Sequence, residues 1–237
     1  MSNSALKIKI FADGADIGGI LELAENPLVR GFTTNPTLMH RAGVVDYERF
    51  ARDVLAVVRE LPVSFEVIAD SFDDMARQAR KIATWGDNVY VKIPITNTSA
   101  ESSAGLIRDL SSDGLKLNVT ALTTLEQVDA MSSALNPAVP SIVSVFAGRI
   151  ADTGVDPIPV MEAALKILAP LPGAELLWAS PRELLNVVQA EKSGCDIITV
   201  THELLRKLSG LGRDLTAVSL DTVTMFYDDA VQSGLSL

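Results

Sequence analysis

Short apolar, often β-branched runs alternate along the chain with longer stretches of helical period. Lys7–Asp13, Val29–Asn35, Val63–Ala69, Val89–Ile95, Leu115–Ala121, Ser141–Ala147, Glu175–Ser180 and Asp196–Thr201 have the length and composition of strands. Between them, Val45–Glu60, Phe72–Thr84, Ser102–Ser112, Thr124–Leu135, Ile158–Leu168 and Arg182–Ser193 repeat apolar residues at three- and four-residue intervals. In the first of these, Phe50, Val54, Val57 and Val58 form one stripe, while Arg52, Asp53 and Arg59 face elsewhere. Such alternation needs crossover connections, which predicts a parallel sheet covered by helices.

Eight strands in 237 residues, with no linker-like break in composition, fit a closed (β/α)8 TIM barrel; an open doubly wound sheet is the alternative. The chain is expected to form a single domain over 1–237. After the eighth unit, Asp214–Tyr227 is rich in apolar residues and predicts an additional C-terminal helix, taken as 214–232. That helix either caps the barrel or packs on another subunit, so a homo-oligomer is expected.

Composition narrows the partners. Acidic residues outnumber basic ones 30 to 20, for a formal charge of −10. This excludes the electrostatic footprint of a nucleic-acid binder and disfavours an anionic membrane surface, but isolated cations in a cleft can still hold a small anion. The single Cys195 cannot form an internal disulfide and reads as a buried small residue. His40 and His202 lie far apart, without zinc-ligand spacing, so no metal is expected. The first residues lack the features of a secretion signal, and no apolar run reaches the roughly 18 residues of a membrane span. A soluble, cytoplasmic protein is the expectation.

The candidate chemistry lies where strands should be apolar. Barrel strands are buried on both faces, yet Asp13, Asn35, Glu66, Lys92, Asn118 with Thr120, Ser144 and Ser180 fall in them, mostly near the C-terminal ends. Active sites of (β/α)8 barrels sit on that rim. Residues two apart share a face, which groups Thr33 with Asn35 and Asn118 with Thr120. Any one of these residues could be a cap; their recurrence in seven of eight strands points to a site.

Lys92 lies in Val-Tyr-Val-Lys-Ile-Pro-Ile with no charged neighbour in sequence. Burial disfavours the ammonium form, and a neutral amine is what attack on a carbonyl needs. The bland alternative is an ion pair with a carboxylate such as Glu66. Asp13 and Glu66 could divide the proton transfers of imine formation and C–C cleavage, although Asp13 could instead cap a helix beginning near Ile17. Arg149, after Gly148 at the end of strand six, and Arg182, at the start of the following helical stretch, are candidates for an anion. No nucleotide-binding glycine motif is present, so no cofactor is expected.

Phe11-Ala12-Asp13, Gly31-Phe-Thr-Thr-Asn-Pro-Thr37, Val91-Lys-Ile-Pro94, Asn118-Val-Thr120 and Ser144-Val-Phe-Ala-Gly-Arg-Ile150 together resemble the transaldolase family. The likeness is greatest to its short members, which include fructose-6-phosphate aldolases, and it spans nearly the whole chain. It implies a (β/α)8 barrel acting on sugar phosphates, as in the pentose phosphate pathway, by covalent catalysis without a cofactor. On that likeness Lys92 forms the Schiff base, Asp13 exchanges the proton of C–C cleavage, and Glu66 acts through a water held with Thr120. Asn35, Asn118 and Ser144 would hold the dihydroxyacetone part, and Arg149 the phosphate. Members acting as aldolases carry Gln at the Glu66 position and Tyr at the Phe146 position. Both residues here match the transaldolase choice, which favours transfer over release of free dihydroxyacetone. One departure is Ala179-Ser180-Pro181-Arg182, where the family usually has an aromatic before the basic residue. Pro181 is expected at the first position of a helix.

Overall fold

A computed structural model describes residues 6–234, so the outer ends of the expected 1–237 domain lie outside the described residues. Eight parallel strands form a closed barrel in sequential order. They are β1 (Lys9–Asp13), β2 (Val29–Thr33), β3 (Val63–Glu66), β4 (Val89–Pro94), β5 (Leu117–Leu122), β6 (Ser141–Val145), β7 (Ala174–Trp178) and β8 (Ile197–Thr201). The helices among the described residues are α1 (Ile17–Ala24), α2 (Pro36–Arg41), α3 (Tyr47–Val57), α4 (Phe72–Ala83), α5 (Ala104–Ser112), α6 (Leu125–Ala134), α7 (Ala147–Asp152), α8 (Pro157–Leu168), α9 (Leu185–Lys192), α10 (His202–Lys207) and α11 (Leu215–Gln232). The fold is the (β/α)8 TIM barrel that the alternation implies.

Local chemistry sets several boundaries. The Ser71 hydroxyl accepts the Asp74 N–H at the start of α4, whose first turn carries Asp73 and Asp74 and whose last carries Arg80 and Lys81. Both charge placements suit the helix dipole. Thr124 and Gln127 close a capping box on α6. At α1 the cap is Asp16, whose side chain accepts from Gly19 N–H; Asp13 is therefore free of the capping role that was its alternative.

The strands alternate between two packing layers. Phe65, Val91, Ile93, Leu117, Val119, Val143, Val145, Leu176, Trp178 and Ile198 are buried in the layer between strands and helices. Strand register brings the opposite set together inside the barrel, through pairs such as Phe11–Thr199, Ser64–Tyr90, Glu66–Lys92, Lys92–Asn118 and Ser144–Leu177. Phe11, Ile142, Leu177, Ala179 and Ile197 form a separate apolar cluster, joined by Tyr90 and Phe146. Gly31 makes room for it: a Cβ there would meet the Phe11 ring at 2.5 Å. The polar inward residues of the next subsection share the barrel interior with this plug.

Several expectations at the rim are corrected: β6 ends at Val145 with Ala147 opening α7, and β7 ends at Trp178, which leaves Ser180 outside the strand. Strand β2 ends at Thr33, because Asn35 turns into the cap of α2 with Pro36 as its first residue. Pro181 and Arg182 lie in a loop, since α9 begins only at Leu185. Arg182 N–H is instead satisfied by Asn186 Oδ1 at 2.7 Å. Beyond β8, α11 does not cap the barrel, for none of its residues is buried. Leu220, Val223, Tyr227 and Val231 recur on one face, all of them exposed.

Candidate active site

Burial in a sheet leaves a polar side chain few partners beyond other strands, so the inward residues organise one another. Lys92 is buried, with 6% of its surface exposed. Its Nζ donates to the Thr34 carbonyl at 2.9 Å and lies 3.1 Å from Glu66 Oε2. The ion pair that was the bland alternative therefore exists, but it lies inside the barrel and joins two candidate catalytic groups. Tyr47 OH, at the start of α3, donates to the Glu66 carbonyl at 2.9 Å and anchors the end of β3. Burial raises the Tyr47 phenol well above its ordinary range, so it stays a donor.

Asp13 ends β1 on the same rim. Its Oδ1 accepts the Thr33 hydroxyl at 2.8 Å, and its Oδ2 lies 3.4 Å from Asn35 Nδ2. Thr33 Oγ1 is 2.5 Å from Thr199 Oγ1. Because the single Thr33 proton goes to Asp13, Thr199 supplies the second, giving a relay from β8 through β2 to β1. Burial raises the Asp13 carboxyl above the ordinary carboxylate range, against the opposing pull of Lys92 and of the Thr33 and Asn35 hydrogen bonds. A carboxyl of raised affinity suits a group that must both take and return a proton.

A third chain crosses the interior. Ser144 Oγ donates to Asn118 Oδ1 at 2.7 Å, and Asn118 Nδ2 donates to Ser64 Oγ at 3.0 Å. The amide of Asn118 is thus fixed in orientation, with one N–H and one lone pair to spare. Thr120 Oγ1 is buried and has no hydrogen-bond partner among the described residues. The ladder between β5 and β6 is irregular here, and Ala121 takes φ +66°. A non-glycine residue in that region is uncommon and marks strain of the kind found at functional sites.

Helix α7, directly after β6, and the loop after β7 meet beside this rim. Gly148 N–H donates to the Ala179 carbonyl, and a Cβ on Gly148 would lie 1.6 Å from the Ser180 carbonyl oxygen. Ser180 itself has φ +62°. Only glycine permits this approach, which brings the segment carrying Arg149 against that carrying Arg182. Arg149 is exposed and takes part in no salt bridge among the described residues. Arg182 is held by both oxygens of Asp152, and this carboxylate is pushed below its usual range by Arg182 first and by Arg149 as well. Phe146, half-buried, precedes α7 and packs on the apolar plug.

Asp13, Thr33, Asn35, Glu66, Lys92, Asn118, Thr120 and Ser144 are therefore brought to one end of the barrel, with Phe146 and Arg149 at the cap and within α7, and Ser180 and Arg182 in the adjoining loop after β7. Ser64, Thr199, Thr34 and Tyr47 complete the network and were not among the site residues expected from the sequence, although Thr34 lies in the Gly31–Thr37 motif. Ser64 had a signal, since it lies two residues before Glu66 on the same face. Thr199 had none, because threonine is at home in any strand.

Comparison with known proteins bears on the family and the fold. A model of the family described as "Transaldolase/Fructose-6-phosphate aldolase" matches residues 10–235. A protein of Dehalococcoides mccartyi named "Probable transaldolase" is 34% identical over 202 residues, covering 85% of this chain and 90% of that protein. One of the same name from Streptococcus agalactiae is 34% identical over 224 residues, or 93% and 98% of the two chains. Among solved structures, a 2,3-dimethylmalate lyase superposes with a TM-score of 0.56 over 97% of this chain and 85% of its own, at 12% identity. That last likeness concerns the barrel alone. The family match spans the strands that carry the lysine and both carboxylates, and with these relatives it shows that the chain belongs to the transaldolase/fructose-6-phosphate aldolase family.

Proposed function

We propose that the protein is a transaldolase, moving a dihydroxyacetone unit from a ketose phosphate to an aldose phosphate through a Schiff base on Lys92. The observation that carries this reading is the buried Lys92 Nζ at 3.1 Å from Glu66, on the rim that Asp13 shares. Glu66 takes a proton from the ammonium, and the free amine attacks the ketose C2. The carbinolamine so formed loses its hydroxyl as water, with Glu66 returning the proton through a water that Thr120 Oγ1 would hold. Asp13 then removes the C4 hydroxyl proton. The C3–C4 bond breaks, its electron pair passes into the iminium to give an enamine, and the aldose leaves. The acceptor aldehyde repeats these steps in reverse, with Asp13 returning its proton to the new hydroxyl.

Asn35, the spare capacity of Asn118, and Ser144 would hold the retained fragment. Arg149 would hold the phosphate, with Arg182 beside it as the second cation. Phe146 offers no hydroxyl to protonate the enamine or to orient water toward it, which favours transfer over release. A lyase would instead yield free dihydroxyacetone with no acceptor present. We also take the chain as a single domain acting in the cytoplasm, and α11, with its unburied apolar face, as a contact between subunits of a homo-oligomer. Steady-state assay with fructose 6-phosphate and erythrose 4-phosphate is the direct test: ketose formation that depends on the acceptor supports transfer. Inactivity toward every phosphorylated ketose would remove this assignment.

A further inference from the structure

His202 is a side chain at the catalytic rim that the proposed mechanism leaves unused. It opens α10 directly after Thr201, and Thr201 is the residue paired with Asp13 across β1 and β8. Its ring fills a slot between the β1–α1 loop and the first turn of α1. A Cβ on Gly14 would lie 2.8 Å from His202 Nε2, and one on Gly19 would lie 2.4 Å from Cε1 and 2.7 Å from Nδ1. Side chains do not approach so closely, so the imidazole and the two glycines are mutually dependent. Nε2 is buried and finds no hydrogen-bond partner among the described residues, a condition that opposes folding. The loop is tied on its other sides, by Gly14 N–H to the Thr33 carbonyl at 3.1 Å and by Gly19 N–H to Asp16 Oδ2 at 2.8 Å.

Gly14 immediately follows Asp13, so the height of this loop sets the direction of the Asp13 carboxylate. One carboxylate oxygen is well held by Thr33, but the other has only the long 3.4 Å contact to Asn35. Proton transfer at the scissile bond tolerates little misplacement. We infer that His202 is a positioning residue: its ring wedges the β1–α1 loop and thereby aims Asp13 at the hydroxyl whose proton leaves during C–C cleavage. The inference rests on the Schiff-base reading above, and it separates the two chemical steps. Lys92, Glu66 and Thr120 form the imine without this loop, whereas cleavage needs Asp13.

The experiment is single-turnover kinetics of H202A with fructose 6-phosphate, following borohydride-trapped adduct and released glyceraldehyde 3-phosphate separately. Adduct should form within about twofold of the wild-type rate, while aldehyde release slows at least tenfold. In G19A/H202A, where the added methyl refills part of the slot, release should recover in part. Should H202A fail to fold, H202Q carries the same readouts. Equal slowing of both steps, or no slowing of either, would overturn the positioning role. A wild-type enzyme that traps no ketose would instead bring down the Schiff-base reading, and this inference with it.

Discussion

Lys92 Nζ stands 3.1 Å from Glu66 Oε2 in the interior of the barrel, the two residues being direct partners across β3 and β4. In the proposed Schiff-base mechanism, the amine to be deprotonated therefore already touches a group able to receive the proton. Glu66→Gln keeps the shape and a hydrogen bond but removes the acceptor. We expect kcat for transfer to fall roughly 10²-fold, the lower range for loss of an acid–base group. Trapping rates with borohydride should fall in parallel, because the loss falls on imine formation. Unchanged trapping would place the proton transfer elsewhere.

In the proposed mechanism Asp13 carries the cleavage proton, and its burial also ties it to stability. Its carboxyl is raised in the folded protein, chiefly by burial, so the native state binds its proton more tightly than the unfolded chain. Stability from this group is then fully present below the unfolded value and is lost as pH rises through the folded value. Asp13→Asn should therefore be inactive, with a Tm advantage over wild type that grows as pH is raised from about 4 toward neutrality. Calorimetry of both proteins across that range checks the sign; an advantage that shrinks with rising pH would contradict it.

Cys195 is buried and its thiol is pushed up to about 11, mainly by loss of hydration. Only the thiolate reacts. A disulfide exchange reagent at pH 8 should leave the folded protein unmodified and titrate one thiol after denaturation. Rapid reaction of the native protein would show the residue to be accessible.

Arg149 is exposed beside an Arg182 that Asp152 already holds. If Arg149 is the main phosphate contact, Arg149→Ala loses a charge-assisted hydrogen bond of about 1.5–3 kcal/mol. KM for phosphorylated ketoses should then rise roughly 10- to 100-fold with little change in kcat. A loss of kcat at constant KM would assign Arg149 to the chemistry instead.

The face of α11 that carries Leu220, Val223, Tyr227 and Val231 is unburied within the chain. Sedimentation should show an assembly larger than the monomer, and Tyr227→Glu should weaken it. A monomer at micromolar concentration would refute the subunit contact.

The barrel was legible in the sequence because each strand is a short β-branched run between helical stripes, and eight such units close. Lys92 and Glu66 were legible for the opposite reason: charge inside such a run needs a cause. Strand ends were less so. Asn35 continues the polar alternation of β2 yet serves as the cap of α2, and Pro181 has the residue type of a helix start while α9 begins at Leu185. Capping is decided by where the chain can turn over its neighbours, which one strand does not record. Thr199 gave no signal because a small hydroxyl residue suits a strand as well as a site, and Ser64 shows only through its place two residues before Glu66. Their roles come from partners more than fifty residues away, Asn118 and Thr33.

The central claim is covalent capture by Lys92, and mass spectrometry of the enzyme reduced with borohydride in the presence of fructose 6-phosphate tests it most directly. We predict one added three-carbon unit, on the peptide containing Lys92, and none without the ketose. No adduct, or an adduct on another lysine with Lys92 unmodified, would contradict the account.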